Sequence, residues 1–267
     1  MNTILVIGSN SFSGSSFISF LLQKNYKVIG CSRSKENPNI LLPYKWVDHN
    51  KFTFFNYDVN KNIDEIVELI YSNKITHIIN FAAQSMVAQS WISPEDWFYT
   101  NTVSLSKLIN RIKDFTFIEK YIHVTTPEVY GNCNGIVDEN YPYNPSTPYA
   151  SSRAASDFIL KNYFDAYKFP YVATRAANVY GAGQQLYRII PKAIFSILNN
   201  QKIPLHGGGM SRRSFIHIED VSIATLKLLF SDIVGETYHI STDNLVTIKS
   251  LVELICSKLD ADFKSSV

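Results

Sequence analysis

ILVIGSNSFSGSSF, residues 4–17, decides the fold. Four branched or leucine side chains run into Gly8, and Gly14 opens a stretch with apolar residues at helical spacing. Strand, glycine turn and helix in that order form a βα unit whose helix N-terminus offers backbone N–H groups to a pyrophosphate. Gly8 can hold the tight turn and Gly14 the close packing of helix on strand. Ser11 stands where the fingerprint has its middle glycine; a negative φ would accommodate it, and its hydroxyl could face phosphate. Alone, the motif also reads as an ordinary βα turn containing glycine and serine. The candidate contacts here are Gly8, Asn10, Ser11, Phe12, Ser13 and Gly14.

The chain beyond the turn alternates. YKVIGC, FTFFNYD, THIINF, EKYIHVTT and YVATRAANVY have strand character. Helical spacing appears from about Ser13 to Lys24, in IDEIVELIYSN, in NTVSLSKLINRI and from Tyr149 to about Tyr167. Such alternation predicts right-handed crossovers, hence an α/β fold with a doubly wound, Rossmann-type parallel sheet. After Gly181 the rhythm loosens: a helix over RIIPKAIFSILNN, then IPLH, a glycine cluster, RRSFIHIED and two more helical runs. The expected division is residues 1–180 as a dinucleotide-binding domain carrying the catalytic residues and 181–267 as a smaller substrate lobe. Ligands in such folds bind outside the carboxyl ends of the strands.

Bulk properties narrow the class. With 267 residues, 46% of them apolar and 18% charged, the chain reads as globular. Lys plus Arg number 25 against 23 for Asp plus Glu, a net +2 that argues for neither a nucleic-acid nor a membrane partner. No apolar run approaches a membrane span, and the first strand runs straight into the glycine motif rather than reading as a signal peptide. Cys31, Cys133 and Cys256 are few and far apart, which suits a reduced cytoplasm without disulfides or zinc. His77, His123, His217 and His239 fall in strand-like runs without metal-ligand spacing, so packed or hydrogen-bonded histidines are expected and no metal.

The second strand ends CSRS. An acidic residue there would bind a ribose 2′-hydroxyl and favour NAD. Ser32 and Arg33 instead offer a hydroxyl and a forked cation, which suit the 2′-phosphate of NADP, with NAD still possible. Asp58, after the third strand, reads as an acceptor for an adenine amino group or as a helix N-cap. TPYASSRAASD, residues 147–157, puts Tyr149 and Arg153 one helical turn apart on one face. A tyrosine beside a fixed cation is a candidate acid/base. Arginine provides a charge that cannot be lost, and the small Ser151, Ser152, Ala154 and Ala155 leave it room. Asn178, Arg188 and Arg213 are candidates for a diphosphate, or a solvated basic face.

The glycine turn, NFAAQS at 80–85, HVTTPEVYG at 123–131, PYASSR at 148–153, RAANVYGAGQ at 175–184, RIIP at 188–191 and RSFIHIED at 213–220 occur in one order. That set resembles the extended short-chain dehydrogenase/reductase family, and within it the nucleotide-sugar 4,6-dehydratases of the GDP-mannose and dTDP-glucose types. The resemblance covers essentially the whole chain. It implies a bound nicotinamide cofactor, further contacted by Val59, Phe81, Ala82, Ala83, Tyr149 and Arg153. It implies a GDP-, dTDP-, UDP- or CDP-sugar as substrate, with Gln84, Ser85 and Thr126 near the sugar and Leu205 and His206 near the base. Tyr149 would take the O4 proton with Thr126 on the same oxygen, and Glu128 would take the C5 proton. A homodimer through a four-helix bundle is implied, using the runs around 101–113 and 149–167.

Three positions depart from the family pattern: Ser11 for glycine, Arg153 for lysine, and Pro127 where the dTDP-glucose type has an aspartate. The resemblance also implies elements beyond the last helix, so the second lobe reads as shortened or minimal. Two rival functions remain open. A 4-epimerase shares the tyrosine and cofactor but has no need of Glu128. A non-catalytic nucleotide sensor would explain Ser11 and Arg153 but not the set Thr126, Glu128 and Tyr149.

Overall fold

A computed structural model describes residues 3–133 and 135–267. The chain runs β1 (Thr3–Ile7), α1 (Phe12–Gln23), β2 (Lys27–Cys31), β3 (Phe52–Phe55), α2 (Ile63–Ser72) and β4 (His77–Asn80). It continues through α3 (Pro94–Phe98), a π-helical segment over Tyr99–Ser104, α4 (Leu105–Ile112), β5 (Lys120–Val124), α5 (Pro148–Tyr167) and β6 (Tyr171–Ala176). Then come β7 (Asn178–Tyr180), α6 (Ile189–Leu198), β8 (Arg212–His217), α7 (Ile218–Leu229), β9 (Glu236–Ile240), β10 (Leu245–Thr247), α8 (Ile248–Lys258) and α9 (Phe263–Ser266).

Seven strands form a parallel sheet in the order β3-β2-β1-β4-β5-β6-β9. The doubly wound fold expected from the alternation is present. Side-chain alternation along β1 explains the three layers: Leu5 and Ile7 face one way, Ile4 and Val6 the other. The first pair packs with Ile66 and Ile70 of α2, Leu108 and Ile109 of α4 and Leu160 of α5. The second packs with Phe17, Ile18 and Leu21 of α1 and Leu229 of α7. Each such fully buried side chain contributes roughly 1.5–3 kcal/mol of transfer free energy. The chain reverses direction across the sheet between β1 and β4, and the carboxyl ends of these strands open the crevice where ligands bind.

The carboxyl-terminal part differs from expectation. YVATRAANVY is two strands: β6 stays in the main sheet, while β7 leaves it to pair with β8 in a three-stranded sheet, β10-β8-β7. The region after RRSFIHIED contains β9 and β10 as well as helices. β9 pairs parallel to β6 from Val172↔Glu236 to Ala176↔Ile240, and α7 packs on α1. Residues 218–240 thus return to the Rossmann layers, and a single cut at 180 does not separate the two units. The small lobe keeps its own core of Ala193, Ile203, Val252, Ile255 and Cys256. His77 and His239 are hydrogen-bonded, to Thr76 and Tyr130. Among the described residues no helix is long and apolar enough to cross a membrane.

Candidate active site

Gly8 takes φ +86°, and a Cβ there would approach the Ala82 amide nitrogen to 2.6 Å, so glycine is required where the first turn meets the loop after β4. Ser11 has φ −72° and caps α1: its Oγ accepts from the Gly14 amide at 3.0 Å and donates to the Gly8 carbonyl at 2.7 Å. The serine therefore fits, but its hydroxyl is turned into the loop and not out to phosphate. Phe12 packs with Ile216, Ile218, Val221 and Ile240, so only its backbone belongs to the cradle; Ser13 is half-buried.

Asn10 fastens the cradle to the loop after β2. Its Nδ2 donates to the Ser34 and Lys35 carbonyls at 3.0 and 2.9 Å, and its amide donates to Ser32 Oγ at 3.0 Å. Arg33 is exposed and makes no ion pair among the described residues. Asp58 is not the helix N-cap; that place belongs to Asn62. Asp58 Oδ1 instead accepts from the Asn60 amide at 2.9 Å in a local turn. Val59 and Ala82 pack on the core face beneath, and Phe81 packs tilted on Phe17 with ring centroids 6.0 Å apart. Ala83 is half-buried.

These features fit a dinucleotide. Ser9 Oγ and Asn10 Oδ1 are buried polar atoms without a protein partner, beside a turn that admits no side chain at Gly8. Such atoms carry a cost unless a ligand or water meets them.

α5 begins at Pro148 because Thr147 Oγ1 caps the Ala150 amide at 3.1 Å and proline suits the first helical position. This start puts Tyr149 in the first turn, 8% exposed, its hydroxyl without a protein partner among the described residues. A clamp absent from the sequence reading supports it. Asn101, buried in the π-helical segment, exchanges two hydrogen bonds with the Gln84 backbone (2.9 and 3.0 Å) and donates to Ser152 Oγ at 2.9 Å. The loop after β4 and the start of α5 are thereby held together. Single π-helical turns recur at functional sites; the sequence signal was an asparagine inside an otherwise helical pattern.

Glu128 is carried on a rigid turn. Thr126 caps it, its Oγ1 accepting from the Glu128 amide at 3.3 Å; Pro127 fixes the first φ, and Gly131 closes it at φ +67°. A side chain at Gly131 would collide with the Asn144 carbonyl. Val129 and Tyr130 anchor the turn in the core. The Glu128 carboxylate opens to solvent, yet the protein around it raises its proton affinity, while Arg213 and Arg188 pull the other way. The structure thus brings Glu128, Arg188 and Arg213 into one electrostatic neighbourhood. Arg188 precedes α6 with its guanidinium 5.5 Å from the Tyr187 ring, and Arg213 donates to the Arg212 carbonyl at 2.8 Å.

The remaining candidates divide. Asn178 Nδ2 donates to the Ser214 carbonyl at 3.1 Å, tying β7 to β8. Gln84 is half-buried and Ser85 exposed in the clamped loop. Leu205 is half-buried against the small-lobe core, whereas His206 is exposed.

Arg153 departs most from expectation. It is 2% exposed, and its Nη2 donates to the Val124 carbonyl and to His123 Nε2, the latter at 3.2 Å. Its hydrogen bonds go to β5, and none to Tyr149 among the described residues. His123 is itself buried, and burial together with Arg153 holds its proton affinity well below that of an ordinary histidine.

A glycine cradle at the switch point, and a loop after β4 clamped to the start of α5, fit a nicotinamide-dependent enzyme of the short-chain dehydrogenase/reductase type. The profile of the GDP-mannose 4,6 dehydratase family matches residues 5–267. Mouse dTDP-D-glucose 4,6-dehydratase is 37% identical over 195 residues, covering 71% of this chain and 55% of the mouse protein. The human protein of that name is 32% identical over 260 residues, covering 94% of this chain and 73% of its own length. The structure of Bacillus anthracis dTDP-glucose 4,6-dehydratase in complex with NAD superposes with a TM-score of 0.89 at 30% identity, covering 99% of this chain and 83% of that one. The chain belongs to the nucleotide-sugar 4,6-dehydratase family.

Proposed function

We propose that the chain converts a nucleotide-activated hexose to its 4-keto-6-deoxy form, with Tyr149, Thr126 and Glu128 as the reacting groups. The observation that carries this reading is Glu128, held on a capped turn two residues after Thr126 and within the field of Arg188 and Arg213. A nicotinamide held by the Gly8–Gly14 cradle would keep the hydride taken from C4 and give it back at C6. Tyr149 as phenolate takes the O4 proton. Thr126 uses its lone pair on the Glu128 amide, which leaves its own O–H to donate to O4. The C4 ketone acidifies C5–H, and the Glu128 carboxylate removes that proton. Pro127 has no proton to offer, so Glu128 passes its own to the departing C6 oxygen, which leaves as water. Its raised proton affinity suits this shuttle. A proton from solvent returns to C5 as C6 is reduced, matched by the O4 proton that Tyr149 gives up to solvent, so the sum is loss of one water.

A 4-epimerase would use Tyr149 and Thr126 alike but leave Glu128 idle. Incubation with GDP-, dTDP-, UDP- and CDP-hexoses, followed by mass spectrometry, separates the readings. The expected product has lost one water; an epimer of unchanged mass, or cofactor binding with no turnover, rejects the proposal.

Arg33 and the Ser32 hydroxyl support NADP(H) over NAD(H), and selective loss of NADP(H) affinity in Arg33→Ala is the expected titration result. Exposed Phe98, Tyr99 and Val103 beside α4, with Phe158 and Tyr167 on α5, support a homodimer closed by a four-helix bundle. Free cysteines at 31, 133 and 256 suit a reducing cytoplasm.

A further inference from the structure

We infer that His123 is the positioning residue that allows an arginine to work at position 153. The inference deepens the proposed function and rests on its reading of Tyr149 as the base.

The two side chains lie 30 residues apart in sequence and meet under the sheet's active edge. His123 is 1% exposed and Arg153 2%. The imidazole lies near-parallel (13°) to the Tyr121 ring with centroids 6.4 Å apart, and the Tyr121 hydroxyl accepts from Asn80 Nδ2 at 2.9 Å. Nε2 lies 3.2 Å from Arg153 Nη2. A guanidinium has only donors, so this nitrogen must carry a lone pair and the proton belongs on Nδ1. The same Nη2 reaches the Val124 carbonyl, making the end of β5 a two-acceptor seat.

Lysine would not need that seat. Its ammonium is a point charge with rotatable donors on a flexible stem, whereas a guanidinium must be oriented as a plane. Arg153 Nε, like Arg175 Nε, and His123 Nδ1 are buried without a partner among the described residues, so the hydrogen bonds of the pair are only partly met. Among the described residues Nη1 makes no hydrogen bond. The seat at Nη2 thus fixes one edge of the guanidinium plane. Loss of the His123 acceptor would let the charge swing away from the Tyr149 turn, and misplacement by about 1 Å costs roughly 100-fold in rate.

The test is a cycle over His123→Phe and Arg153→Lys, with His123→Gln as the conservative variant. In the Arg153 parent, His123→Phe is expected to lower kcat by roughly 100-fold while KM changes little. His123→Gln, whose amide oxygen can accept, should recover most of it. In the Arg153→Lys background, His123→Phe should cost less than about threefold. Equal losses in both backgrounds, or no loss in the parent, overturn the inference.

A second arm needs no turnover. In the cofactor-free chain with 15N-labelled histidine, His123 is expected to be neutral at pH 7 with the proton on Nδ1, its Nε2 signal moving in Arg153→Lys. A proton on Nε2, or a signal indifferent to Arg153, contradicts the seat even if His123→Phe does not fold. If no sugar nucleotide reacts but this signal is as expected, the dehydratase reading fails and the seat stands.

Discussion

Two arginines are buried in this fold, and they are kept for different reasons. Arg175, 1% exposed, is paired through both Nη groups: with the Asp157 carboxylate at 2.9 Å and the Tyr130 and Tyr143 hydroxyls, and both tyrosine rings lie within 5 Å of its centre, while its Nε, like that of Arg153, has no partner among the described residues. Burial works against its charge, but Asp157 and the two hydroxyls hold its proton affinity above the usual value. Arg153 has only a carbonyl and a neutral imidazole, and no ion pair among the described residues. A buried cation without a counter-charge is costly. The paired arginine is architecture, whereas the unpaired one is the cation proposed above to serve Tyr149, four residues before it in α5.

The contrast predicts opposite phenotypes. Arg175→Met strands Asp157 and frees Tyr130, whose hydroxyl also meets His239 Nε2 at 2.7 Å and helps pin the turn carrying Glu128. It should cost about 3–5 kcal/mol of stability in denaturant unfolding. Arg153→Met replaces an unpaired charge by an apolar chain, so stability should change by less than about 1.5 kcal/mol. Activity should nevertheless fall by roughly 100-fold, read across a full pH–rate profile. Arg153→Lys should keep measurable activity. If Arg153→Met melted like Arg175→Met and kept its profile, both arginines would be structural.

The smallest expected effect is on pH. Burial is the main cause that lowers the proton affinity of His77, His123 and His239 below the reference 6.5. Below that value the unfolded chain takes up protons that the folded chain refuses. Stability is therefore complete above pH 6.5 and falls as pH drops below it, by at most about 1.4 kcal/mol per pH unit for each histidine. Denaturant midpoints should be lower at pH 5.5 than at pH 7.5, and His239→Gln should reduce the difference without abolishing it. Equal midpoints would mean these histidines titrate alike folded and unfolded.

The parts legible in the sequence were those written in contiguous residues. The βα turn at Gly8, the start of α5 at Thr147–Pro148 and the Thr126–Pro127–Glu128 turn each carry their own caps within three residues, so spacing sufficed. The three-residue strands β7 and β10 and the edge strand β9 owe their state to partners: ETYHI is a strand because Val172–Ala176 offers it an edge. The same holds at the site. The Ser11 hydroxyl is decided by Gly8 and Gly14 in the folded turn, the Asn101 clamp joins residues 17 and 51 positions away, and the acceptors of Arg153 lie on β5. A side chain's type announces what it can bond to; only tertiary placement says which partner it has.

The central claim is that Glu128 moves the C5 proton in an elimination begun by Tyr149. Glu128→Gln tests it directly, by following reduced-cofactor absorbance and product mass in one incubation with the sugar nucleotide that the parent chain consumes. The variant should oxidise the sugar, so that absorbance rises and persists, while loss of water falls by at least about 100-fold. Loss of water at the parent rate would remove Glu128 from the mechanism and return the epimerase reading to first place.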